Sequence, residues 1–103
     1  MNEHAGRGAV TWTPEVARRL DDLCVRFERA WQAGTGRPDL VQSVAEAPKA
    51  FRESVLYELL LLELAYRRRA GEAPAPEDYR VFWPVCRSVI DAAFADAARP
   101  ATR

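Results

Sequence analysis

Residues 55–69 read VLYELLLLELAYRRR, and this run decides the fold. At about 100° per residue a helix built from it has apolar side chains on most of its circumference. Phe51, Val55, Leu59, Leu62 and Tyr66 make one stripe; Leu56 with Leu60, and Tyr57 with Leu61 and Leu64, occupy other sides. Such a helix is either surrounded by its neighbours or presents a second apolar face to a partner. Pro48 suits the first turn of this helix, and Arg67, Arg68 and Arg69 sit at its negative dipole end before Gly71. The predicted central helix spans about 48–70.

Working outward, Thr13-Pro14-Glu15 is a helix start, with a side-chain acceptor for the first free N–H groups, proline in the first turn and a carboxylate at the positive dipole end. Val16, Leu20, Leu23, Cys24, Phe27, Ala30 and Trp31 then form one continuous stripe, and Gly34 with Pro38 ends the helix, so about 14–33 is predicted helical. Arg18 with Asp22 and Asp22 with Arg26 have intrahelical pairing spacing on the opposite face. A short helix is expected at about 39–46 and another at about 76–82, the second behind a proline-stiffened connection. A last long helix is expected at about 85–98, with Val85, Val89, Ile90, Ala93 and Phe94 inward and Arg87 spaced to pair with Asp91. The predicted architecture is an all-α small bundle of three long and two short helices over 12–98, with an N-terminal arm at 1–11 and a linker or tail at 99–103.

Sliding the chain by 35 places Leu20 on Val55, Cys24 on Leu59, Phe27 on Leu62, Trp31 on Tyr66 and Gly36 on Gly71, and a slide of 36 places Pro48 on Pro84. An internal duplication of a helix and proline-turn unit would produce this pattern. The period approaches that of tetratricopeptide repeats, but the second helix of each unit is too short for that fold.

The chain has 103 residues, enough for a single core, and balances 15 Lys+Arg against 15 Asp+Glu. Zero net charge argues against nucleic acid and anionic membranes as partners. The apolar run is short for a bilayer span and is interrupted by Glu58 and Glu63. With no signal-peptide pattern, the expected location is the cytoplasm. Cys24 and Cys86 lack metal or redox spacing and are expected as reduced core residues.

Chemistry is sparsely represented. His4 is the sole histidine and falls in the arm, which disfavours a histidine base or triad. Gly6 and Gly8 do not complete a phosphate loop. Glu58 and Glu63 point to different sides of one helix, and Glu63 is spaced to pair with Arg67. No catalytic residue, metal ligand or cofactor is expected.

The segments LDDLCVRFERAWQAG at 20–34, LLLLELAYRRRAGEAPAPEDYRVFWP at 59–84 and VIDAAF at 89–94 resemble the helical segment that precedes serine/threonine kinase catalytic domains in planctomycete-type bacterial signalling proteins. Leu64-Ala65-Tyr66 and Phe82-Trp83-Pro84 depart from that segment's usual Leu-Glu-Tyr and Arg-Phe-Pro. The resemblance implies a kinase-associated signalling context and carries over no site residue. The kinase motifs themselves are absent from these residues.

The expectation is therefore a non-catalytic protein-interaction or regulatory module, meeting a neighbouring kinase or signalling domain or a copy of itself. Its candidate surface is Tyr57, Leu61, Leu64, Arg67, Arg68, Arg69, Tyr79, Phe82 and Trp83. The competing expectation is a small-ligand sensor or small enzyme with a pocket between helices lined by Trp31, Tyr57 and Tyr66.

Overall fold

The first helix of the fold, α1, runs Pro14–Ala33 in a computed structural model that describes residues 13–99. The arm at 1–11 with His4, Trp12, and residues 100–103 of the tail lie outside the described residues. Thr13 caps α1 by accepting from the Val16 N–H at 3.1 Å, and Gly34 closes it in the left-handed conformation at φ 71°. Leu20, Leu23 and Phe27 are its buried residues.

Asp39 caps α2, Leu40–Ala45, by accepting from the Gln42 N–H at 3.1 Å. The chain then passes Pro48 into a single 3₁₀ turn, Lys49–Phe51, which leads into α3, Arg52–Arg69. Arg52 folds back here and donates to the carbonyls of Ala47 and Ala45, at 3.0 and 3.1 Å. It thereby satisfies acceptors at the end of α2 that would otherwise face solvent.

The C-terminus of α3 is a Schellman motif. Gly71, at φ 88°, donates to the Arg68 carbonyl, and the Glu72 N–H donates to the Arg67 carbonyl, each at 3.0 Å. The turn brings the Glu72 side chain back alongside Arg67. Pro74, buried, starts the connection to α4, Glu77–Arg80. A 3₁₀ turn, Pro84–Cys86, then leads into α5, Arg87–Ala98. Among the described residues there is no strand, and no helix is long and apolar enough to cross a membrane.

The central helix α3 packs against α1, α2 and α5, most extensively against α5. Val55, Leu56, Leu59, Leu60 and Leu64 are at most 1% exposed. Burial of each contributes about 1.5–3 kcal/mol. Of the two arrangements open to such a helix, it is the surrounded one that forms. The buried face is 55, 56, 59, 60, 63 and 64; Leu62 and Tyr66, assigned to the inward stripe by periodicity, are only half-buried.

Two further expectations are corrected. Val85 sits in the turn before α5, not on its inner face, and is 90% exposed. The intrahelical pairs expected around Asp22 and between Arg87 and Asp91 give way to bonds between elements: Arg26 pairs with Glu46 at 3.0 Å, and Arg80 with Asp91. Intrahelical pairs are worth only a few tenths of a kcal/mol, so a partner on another element readily replaces them. Cys86 is buried, Cys24 half-buried, and both are free thiols.

Candidate functional site

A network of buried and half-buried polar side chains gathers around the last turns of α3. Glu63 is 8% exposed. Its carboxylate accepts from the Tyr79 hydroxyl at 2.7 Å and faces the Arg67 guanidinium at 3.9 Å. Arg67 in turn donates to the Tyr79 hydroxyl at 2.5 Å and to Glu72 at 2.8 Å, and Arg37 also donates to Glu72. Each connection follows from local structure: Glu63 and Arg67 are one turn apart on α3, the Schellman turn returns Glu72, and α4 lays Tyr79 over both.

Burial pushes the Glu63 carboxyl above its ordinary range, against the opposing pull of the Tyr79 hydrogen bond and the Arg67 charge. Burial, then the Glu63 carboxylate, pushes the Tyr79 phenol up. The bonds from Arg37 and then Arg67 lower the Glu72 carboxyl. Because Glu63 holds its proton to higher pH in the folded chain, its contribution to stability is complete below the unfolded glutamate value of about 4.3. That contribution is lost as pH rises through the raised folded value. The stability advantage of the native chain over Glu63→Gln, read from urea midpoints, is expected to be greatest in acid and to shrink as pH rises through this window. A pH-independent difference would show that burial does not outweigh the Tyr79 and Arg67 contacts at Glu63.

Beside this network, Trp31 stacks on Tyr66 with centroids 5.7 Å apart and planes at 9°. The Arg37 guanidinium lies 5.4 Å over Trp31 and that of Arg69 lies 4.8 Å over Tyr66. The Tyr66 hydroxyl donates to Glu28 at 2.9 Å. Thus the arginine run does not act as one anion site. Successive helical residues diverge by about 100°, so Arg67 turns inward to carboxylates, Arg69 covers Tyr66, and Arg68 is exposed.

The remaining sequence-predicted residues separate in the same way. Leu64 and Tyr79 are buried, at 0% and 4% exposure, and are core, not surface. Tyr57 and Leu61 are half-buried, with the Tyr57 hydroxyl donating to Asp96. Tyr57 and Tyr66 are nine residues apart on α3, which sets them on opposite sides of the helix and ~13 Å apart along it. With Trp31 they do not line one pocket; Tyr57 instead faces a groove with Ser54, Ser88 and Val89.

Phe82 and Trp83 lie on the connection between α4 and α5. Phe82 is 60% exposed, Trp83 is half-buried, and their rings meet edge-on at 6.0 Å. Both line a cleft of about 290 Å³ with Val41 of α2, and Tyr79, Glu63 and Arg67 also contribute to its lining. Comparison of the chain with protein-family models, curated proteins and solved structures gave no match.

Sequence reasoning missed the other members of this surface. Val41, Val81 and Val85 are large apolar side chains left open to solvent around the same elements. Val81 and Val85 flank Phe82-Trp83-Pro84, and the proline is the signal that the helical pattern breaks there. Among the described residues there is no group of three or more His, Cys, Asp or Glu side chains arranged to hold a metal ion.

Proposed function

We propose that this chain is a non-catalytic interaction or regulatory module that docks a partner protein at the α4–α5 turn, in the setting of a bacterial serine/threonine kinase-type signalling protein. The observation that carries the docking is the exposure of Val81, Phe82 and Val85 within five residues of chain, at 71%, 60% and 90%. Isolated exposed apolar residues are ordinary, but three in one turn beside an aromatic-lined cleft have the character of an interface anchor. The kinase setting is supported by the resemblance over 20–34, 59–84 and 89–94. An internal duplication would end its second helix and proline-turn unit at Pro84, where the docking residues lie.

The test is titration of the chain, and of its Phe82→Ser variant, against itself and against a kinase domain encoded in the same gene, by light scattering and calorimetry. Association weakened about tenfold or more by Phe82→Ser, with unfolding unchanged to within about 0.5 kcal/mol, is the expected result. A strictly monomeric chain that neither binds nor alters the kinase sinks the reading.

A further inference from the structure

The cleft behind Phe82 carries a charge pattern as well as an apolar one. Its lining includes the carboxylates of Asp39, Glu63 and Asp78 and the guanidiniums of Arg37 and Arg67. Both guanidiniums are occupied: each donates to Glu72, and Arg67 also faces Glu63. Asp39 and Asp78 differ. They are exposed, and each accepts a backbone N–H, from Gln42 and Ala75 respectively, each at 3.1 Å. Neither forms an ion pair among the described residues.

A cleft whose lining joins Val41, Phe82 and Trp83 to two carboxylates without counter-ions is complementary to an apolar side chain next to a cation. The rings of Phe82 and Trp83 line the same cleft, and aromatic rings attract cations. A phosphate or acidic segment would meet Asp39 and Asp78 directly and would have to take the arginines from Glu72. At about 290 Å³ the cleft is at the lower edge of the roughly 300–1,000 Å³ of small-molecule sites. It suits one or two side chains of a peptide segment.

We infer that the cleft between α2 and the α4–α5 turn takes a partner protein's segment in which a lysine or arginine adjoins a bulky aliphatic residue. The aliphatic side chain enters between Val41 and Phe82, and the cation meets Asp39 and Asp78. This rests on the docking reading above and specifies its partner.

The probe is a displayed library of random octapeptides panned on the full chain, with the most enriched peptide then synthesised and titrated by fluorescence anisotropy. Enriched sequences are expected to share a Lys or Arg beside Leu, Ile, Val or Met. Affinity should fall about tenfold or more for the Asp39→Asn/Asp78→Asn variant, and should weaken as salt rises from about 50 to about 300 mM. Asparagine keeps both acceptors for the capping N–H groups, so the fold is preserved, which circular dichroism verifies. Enrichment of acidic or purely apolar peptides, equal binding to the asparagine variant, or no enrichment at all overturns the inference. Partner binding weakened by Phe82→Ser but untouched by Asp39→Asn/Asp78→Asn overturns the inference alone; indifference to both overturns the docking reading with it.

Discussion

Leu59→Ala is expected to destabilise the domain by about 2–5 kcal/mol, read as a lower urea midpoint at unchanged slope. Leu59 is 0% exposed on the helix against which α1, α2 and α5 all pack. Its loss removes buried methyl groups and leaves a cavity that no single neighbour can collapse into, since each is held by its own packing on α3. Domains of this kind have about 5–15 kcal/mol in all, so the variant is expected to be partly unfolded at 37 °C if it starts near the lower limit. A shift below about 0.5 kcal/mol would show that the buried face of α3 is misassigned.

Arg67→Met is expected to be the most damaging change at a charged position, costing about 3 kcal/mol. Methionine replaces the apolar stem of arginine but removes the donor to Glu72 and to the Tyr79 hydroxyl, and leaves the Glu63 carboxylate in a buried site with only Tyr79. The cost is nearer the lower end for such pairs because Arg67 and Glu63 keep 19% and 11% side-chain exposure, and because Glu63 can take up a proton instead of remaining charged. Arg67→Lys should be intermediate, retaining the charge but losing the fork that serves two acceptors. Chemical denaturation of the three proteins at one pH decides the matter: a loss of a few tenths of a kcal/mol for Arg67→Met would place the network with ordinary surface pairs.

The legible parts of the fold are those with local causes. Thr13 and Gly34 mark both ends of α1, and its single apolar stripe leaves one face to bury. The face of α3 was not legible, because a helix apolar all round offers periodicity nothing to choose between; the choice is made by α1, α2 and α5. That is why Leu64 reads as surface in the sequence and is core in the fold. Tyr79 was misplaced for a related reason. Its burial depends on Glu63 and Arg67, 16 and 12 residues earlier, which supply the partners its hydroxyl needs. Phe82 and Trp83 stand out in the sequence as part of an aromatic cluster of the kind that carries interface energy, and in the fold Phe82 is exposed and Trp83 half-buried. Val41 escaped notice because one valine on a two-turn helix gives no pattern.

The Schellman turn at Gly71 has a temporal meaning. It presents Glu72 to Arg37, 35 positions earlier, and so fastens the 34–39 loop to the edge of the cleft by a pair whose side chains are 51% and 28% exposed. A fastening that open to water is weak and is screened by salt, whereas release of α3 requires the whole core to open. Amide exchange in the 34–39 loop is therefore expected to be faster than in α3. Raising the ionic strength is expected to quicken exchange in that loop and to leave exchange in α3 unchanged.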